Sequence, residues 1–253
     1  MNSTAQHVFG QRAAFYTTSA AHRDKAVLDR IIELAQPRPD MIALDVATGT
    51  GHTAFALAPH VRHVIATDLT PEMLAEGERL RAEYAMRNIE FRIADVHALP
   101  FEDETFDIVT CRRAAHHFIG IAKALHEMWR VLKVGRRLVV DDRSVPEDDF
   151  IDATMNRLDG LHDHSHVRQY RPSEWAWMLA ESGFEAEAIE PYTRHRPLSS
   201  LTENVEPEDV AKIHAVIASL NEAQRAAMSV VEKDGEGYTN HWYVLLVGVK
   251  RES

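Results

Sequence analysis

No second cysteine accompanies Cys111, so the chain closes no intramolecular disulfide and suits a reducing compartment, with the cytoplasm as the default expectation. No apolar run nears the ~20 residues that a membrane-spanning helix needs. Even Tyr243 to Val249 has only strand length. Met1 to Gln11 has no basic region leading into an apolar core, the pattern of a signal peptide. Positive charge is also scarce. Against 39 Asp and Glu stand 28 Lys and Arg, a net charge of −11, and the only adjacent arginine pairs are Arg112-Arg113 and Arg136-Arg137. Such a surface repels phosphate backbones, so no nucleic-acid partner is expected and a small-molecule substrate is favoured. Internal repeats and low-complexity tracts are absent, and nothing in the sequence decides for or against a homodimer.

What is present is an ordinary globular composition, 45% hydrophobic and 26% charged over 253 residues, which fits a single domain. An apolar run from Met41 to Asp45 ends in Thr48-Gly49-Thr50-Gly51, and a helix is expected from Thr53. Val64 to Thr67 repeats the pattern, with Pro71 opening a helix towards Arg87. Ile89–Ile93, Phe106–Cys111, Arg137–Val140, Phe184–Ile189 and Trp242–Val249 read as further strands, seven in all. Helices are expected over Ile121–Leu132 and Ser173–Ser182, the latter stopped by Gly183. Strands alternating with helices imply a parallel sheet. Asp149 to His166 and Pro207 to Ser229 break the rhythm and look like insertions that roof a pocket, while Asn2 to Gln36 reads as a helical lid. The chain divides into the lid (1–36), a cofactor-binding half (37–145) and a substrate-side half with the insertions (146–253).

The glycine turn carries the chemistry. A nucleotide-type site needs bare backbone, a helix start facing the ligand and a carboxylate for ribose hydroxyls. Asp45-Val-Ala-Thr-Gly49-Thr-Gly51 supplies the turn and Asp68, ending the next strand, the carboxylate. Gly49-Thr-Gly51-His-Thr-Ala54 even satisfies the G-x-G-x-x-A form used for NAD or FAD. Asp45, however, sits inside the turn, where it would repel a pyrophosphate and welcome a cation. S-adenosylmethionine has no phosphate and carries an ammonium and a sulfonium.

These segments resemble the successive motifs of class I S-adenosylmethionine-dependent methyltransferases. They are Asp45 to His52, Thr67-Asp68, Ala94-Asp95-Val-His-Ala-Leu-Pro100-Phe with Phe106-Asp107-Ile-Val, and Arg130-Val-Leu-Lys-Val-Gly135. Within that class the chain looks most similar to the ubiquinone and menaquinone C-methyltransferase branch, densely over Ala43 to Ser144 and thinly at Ser165-His166-Val-Arg and the final strand. The resemblance implies an α/β Rossmann-like fold, its mostly parallel sheet of seven strands covered by helices on both faces and closed by an antiparallel last strand. It also implies that Asp45, Ala47, Gly49 and Gly51 line the methionine end, Asp68 holds the ribose, Asp95 receives the adenine amino group and Val96 packs on the ring. Thr48, Leu69 and Arg112 complete the expected cofactor site. The family usually has glycine where Ala47 stands. Thr17, Ser19 and His22 resemble its lid elements.

Methyl transfer from a sulfonium needs alignment more than acid–base help, because the leaving group is already activated. If a base is used, His116 and His117 in Cys111-Arg-Arg-Ala-Ala-His-His-Phe are the candidates, and His166 is expected to face substrate. Alternating His162, His164 and His166 suggest a metal site, but no thiolate or fourth ligand accompanies them, so a polar loop without metal is expected. Asp141-Asp142 after the fifth strand lacks the acidic fourth-strand partner of magnesium-dependent relatives, and Asp142 with Arg143 reads as pocket wall. Phe118, Leu158, Trp175 and Trp177 suggest an apolar acceptor. Two rival functions stand beside this reading. One is an S-adenosylmethionine-binding protein that transfers no methyl. The other is an NAD(P)-dependent oxidoreductase, although the chain has no Tyr-x-x-x-Lys pair.

Overall fold

The computed structural model describes residues 24–252. Its strands are β1 (Ile42–Val46), β2 (His63–Asp68), β3 (Ile89–Ile93), β4 (Phe106–Arg112), β5 (Leu132–Ser144), β6 (Phe184–Pro197), β7 (Val231–Lys233) and β8 (Glu236–Lys250). They form one sheet in the order β3-β2-β1-β4-β5-β8-β6, with β7 pairing only to β8. All pairs from β3 to β5 are parallel, and β8 runs antiparallel to both of its long neighbours. The chain winds outward from β1 to β3, then returns to place β4 beside β1. That reversal opens a crevice at the strands' C-terminal ends.

Period-two alternation in the central strands explains why both faces are covered. Leu44, Val46, Val109, Leu138, Val140, Val244 and Leu246 point to one face. There they meet α4 (Ile121–Val131) through Leu125 and Met128, and α6 (Pro172–Glu181) through Trp175 and Leu179. Ala43, Ile108, Val139, Leu245 and Val247 point to the other. That face meets α1 (Lys25–Ala35), α2 (His52–Leu57) and α3 (Pro71–Glu83). A third apolar cluster joins the expected insertions: α5 (Asp149–His162) packs Met155 and Leu158 against Ile213 and Val216 of α7 (Pro207–Ala218). The Pro207 to Ser229 stretch is two helices rather than one. Asn221 breaks it and caps α8 (Glu222–Ala227), its side chain accepting the Gln224 N–H at 2.9 Å.

Three expectations are corrected. The sheet holds eight strands rather than seven, because Asp234-Gly235, both in the left-handed region at φ 53° and 79°, turn β7 into β8 as a tight hairpin. The described part of the expected lid is a core helix: Val27, Ile31 and Ala35 of α1 are buried against the sheet, and Asp24 caps it by accepting the N–H groups of Ala26 and Val27. Thr17, Ser19 and His22 lie outside the described residues. The apolar roof dissolves too. Trp175 and Leu158 are core residues, Trp177 is 65% exposed, and only Phe118 reaches the crevice. None of the described helices is long and apolar enough to cross a membrane.

Replacing the fully buried Leu246 by alanine is expected to cost about 2–5 kcal/mol, since its methyl groups leave both transfer energy and a cavity unrecovered. Trp177→Ala should stay within about 0.5 kcal/mol, because the indole is mostly in water. Denaturant titration measures both, and a large loss at Trp177 would refute its surface placement.

Candidate functional site

A cavity of about 480 Å³ opens at the C-terminal ends of β1, β2 and β4. Its floor is the β1–α2 turn, where Ala47, Gly49 and Gly51 all adopt positive φ (51°, 56° and 95°). Asp45, 1% exposed, holds this turn to the sheet. It accepts the Thr48 hydroxyl at 2.5 Å and the Thr110 hydroxyl of β4 at 2.6 Å. Removal from water is the dominant effect on its carboxyl, which is pushed up to about 6 despite both hydroxyls. Asp68 faces the turn across the cavity and accepts the backbone N–H of Gly49 and of Thr70, each at 2.9 Å. Burial raises its pKa as well.

Asp95 closes the third side. Burial opposes its ionisation, yet the backbone N–H of His97 at 2.9 Å and the His97 ring at 2.7 Å hold it below the usual carboxylate range. Val96 is buried beside it, and Leu69 lines the same wall. From β4, Arg112 reaches the cavity with its Nε 3.4 Å from Asp141. Arg113 donates to Asp141 at 2.8 Å and to the Tyr192 hydroxyl at 3.0 Å, and lies 3.9 Å over the Tyr243 ring.

Of the ten residues expected around the cofactor, nine line the cavity and Gly51 does not. Its reason is packing: a Cβ at Gly51 would fall 2.8 Å from the Phe91 ring. The histidine candidates separate. His117 lines the cavity, and its Nδ1 lies 3.0 Å from the Ser165 hydroxyl, which itself donates to Asp163 at 2.6 Å. That order makes His117 Nδ1 the donor and leaves the ring lone pair on Nε2. Burial and the neighbouring His116 push its pKa down to about 4. His116 lies behind it, ring centroids 4.0 Å apart, and is buried against Asp142 with Nδ1 and Oδ1 at 2.5 Å. His166 does not line this cavity and bonds Asn156 at 3.0 Å. Asp142 and Arg143, expected as pocket wall, do not line this cavity: Asp142 is fully buried against His116, and Arg143 donates to Asp159.

The alternating histidines diverge, His162 to the Leu201 carbonyl, His164 to Asp209 and His166 to Asn156. Among the described residues no three His, Cys, Asp or Glu side chains are grouped to hold a metal ion. Sequence reasoning assigned nothing to His97, Ser165 or Lys123, although all three bear on the cavity. For His97 a signal existed, since Asp-x-His allows the short Asx-type loop that sets Asp95.

Known proteins resemble this chain in sequence and fold. The family described as "Methyltransferase domain" matches residues 44–140. YcgJ of Bacillus subtilis, an uncharacterized methyltransferase, is 37% identical over 177 residues, 70% of each chain. Its crystal structure superposes with a TM-score of 0.84, covering 89% of this chain and 98% of that one. The ubiquinone/menaquinone biosynthesis C-methyltransferase UbiE of Zymomonas mobilis is 38% identical over 109 residues, 43% of this chain and 45% of that protein. With the acidic glycine turn, the strand order and these similarities together, the chain belongs to the class I S-adenosylmethionine-dependent methyltransferases and resembles their UbiE-type branch.

Proposed function

We propose that the cavity over the β1–α2 turn holds S-adenosylmethionine and that a small-molecule acceptor takes its methyl group by in-line displacement. The observation that carries this is Asp45, a buried carboxylate within the turn, where a cation is favoured and a pyrophosphate is repelled. The cavity volume lies within the roughly 300–1,000 Å³ of small-molecule sites. Asp45, Ala47, Thr48, Gly49 and Arg112 would hold the methionine end, Asp68 and Leu69 the ribose, and Asp95 and Val96 the adenine. Asp68 suits its part because the backbone N–H groups of Gly49 and Thr70 fix its carboxylate at the cavity wall.

S-adenosylmethionine supplies a methyl on a sulfonium that departs as a neutral thioether, so no residue has to protonate the leaving group. The acceptor forms the new bond to carbon as the sulfur–carbon bond breaks, and loses a proton if it had one. Alignment in a closed, water-poor pocket is then the main contribution of the protein. His117 is neutral at pH 7 and lines the cavity, which fits it to orient the acceptor or take that proton. The reading places the enzyme in the cytoplasm, in keeping with its lone, buried thiol.

Three outcomes are expected. Asp68→Ala should weaken S-adenosylhomocysteine binding by about 1.5–3 kcal/mol in calorimetry, and unchanged affinity in a folded variant removes Asp68 from the site. Binding to wild type should be flat above pH 6 and weaken by up to about tenfold per pH unit below it, because Asp45, titrating near 6, must give up its proton to meet the ammonium. Asp45→Asn should lose that pH-dependent limb. His117→Ala should lower the transfer rate by a similar factor from pH 6 to 9, since the ring is already deprotonated there; loss of a limb near pH 6.5 contradicts this.

A further inference from the structure

Of the Ser165-His166-Val167-Arg168 element that stands out in the sequence, it is the serine, not the histidine, that meets the cavity wall. His166 turns to Asn156, whereas Ser165 is fully buried with its hydroxyl against His117. The main chain docks the element there: the N–H groups of Val167 and Arg168 reach the His116 carbonyl at 2.9 and 3.2 Å. A loop 48 residues along the chain thus backs the histidine that lines the cavity.

The hydrogen bonds of this contact run in one direction. A single Asp163 oxygen accepts both the Ser165 backbone N–H at 2.8 Å and the Ser165 hydroxyl at 2.6 Å. A carboxylate has no proton to return, so the hydroxyl's one proton goes to Asp163 and its oxygen accepts from His117 Nδ1. Burial opposes the ionisation of Asp163, but the neighbouring His117 and both Ser165 donors hold it below the usual carboxylate range. The His117 proton is therefore set on Nδ1, and Nε2 is the proton-accepting atom of the ring. The titratable groups around that ring are His116, Asp142 behind it, and Asp163 and His166 of the loop after α5.

We propose that Ser165 and Asp163 are positioning residues, which present His117 Nε2 as the base for a neutral hydroxyl acceptor. The proposal rests on the reading that the acceptor occupies this cavity beside His117. The acceptor oxygen gives a lone pair to the methyl carbon as the sulfur–carbon bond breaks, and its proton passes to Nε2. The imidazolium so formed keeps its Nδ1–H on Ser165, and the charge of Asp163 balances it. Burial and His116 push the pKa of His117 down to about 4, with Asp163 opposing the fall. So weak a base suits a proton that turns strongly acidic only as the new bond forms. A hydroxyl meets that condition, because a protonated ether is a far stronger acid than imidazolium. An alkylammonium is a far weaker one, which disfavours an amine.

Nitrogen NMR of the histidine rings in the full chain reads the tautomer, with His117→Ala assigning the signal. Rates of methyl transfer from S-adenosylmethionine to phenol and to benzylamine read the chemistry. The wild-type proton should sit on Nδ1 from pH 6 to 9. Ser165→Ala should move a measurable share of it to Nε2 and lower kcat on phenol by about tenfold or more. Asp163→Asn should keep the tautomer, because an amide oxygen can accept the same two protons, and lower kcat by about threefold through loss of the charge. In both variants KM for S-adenosylmethionine should hold. A wild-type ring protonated on Nε2, or a Ser165→Ala variant with unchanged tautomer and kcat, overturns the proposal. So does absence of transfer to phenol, or transfer to benzylamine in its place. The ring measurement needs no cofactor, so failure of S-adenosylhomocysteine to bind in calorimetry strikes the cofactor reading while the tautomer result stands by itself.

Discussion

Three carboxylates, Asp45 near the end of β1 and Asp141 and Asp142 near the end of β5, lie on the two strands that flank β4 and are almost wholly removed from water. A buried charge is tolerated only where hydrogen bonds replace hydration, so each dictates its surroundings. Asp45 demands two hydroxyls, and in taking them it ties the β1–α2 turn to β4. Asp141 gathers Arg113 and the Tyr192 hydroxyl, which fastens the edge strand β6 to the middle of the sheet. Asp142 accepts the backbone N–H of His116 at 2.9 Å and of Arg143 at 2.7 Å besides the His116 ring. At this end of the sheet the turn, the strands and the loop after β4 are thus tied together by the hydrogen bonds that satisfy buried charge.

How much of this was legible depended on whether the signal was local. The turn that floors the cavity could be read because glycine spacing and Asp45 lie within seven residues, and because the next acid, Asp68, falls at the end of the next apolar run. Strand faces were legible through alternation at Leu44, Val46, Leu138 and Val140. Gly51 was placed in the site by spacing, but the ring of Phe91, forty residues on, is what requires it. Trp175 and Trp177 have the same composition and two-residue separation; only the helix surface that α6 turns to the sheet makes one core and the other solvent-facing. The Asp234-Gly235 hairpin was fully local and readable, yet it lay within a polar stretch that looked like the tail of an insertion.

The polar side chains buried between β5, β8, α5 and the loop that follows α5, among them Arg143, Asp159, Gln169 and His241, lay beyond sequence reasoning for a different reason: their spacing in the chain carries no period. Ser144 shows how that loop is brought in: its hydroxyl donates to the Tyr170 carbonyl at 2.7 Å, laying the 163–171 segment against the end of β5. The alternating histidines, prominent in the sequence, owe their separate fates to this docking. Each ring was captured by a different neighbour rather than by a shared ion.

The position of β8 has a consequence for how the molecule assembles. It is the latest strand in the chain, yet it lies between β5 and β6 rather than at an edge. Until it arrives, those two strands present facing, unpaired backbone, and pairing β5 directly with β6 is a competing arrangement that would shut it out. Closing the sheet therefore depends on a non-local pairing that the last strand of the chain supplies. The parallel strands β1 to β4, whose ends carry the cavity, are complete earlier in synthesis. The antiparallel half of the sheet, β5, β8 and β6, exists only once that last strand is seated.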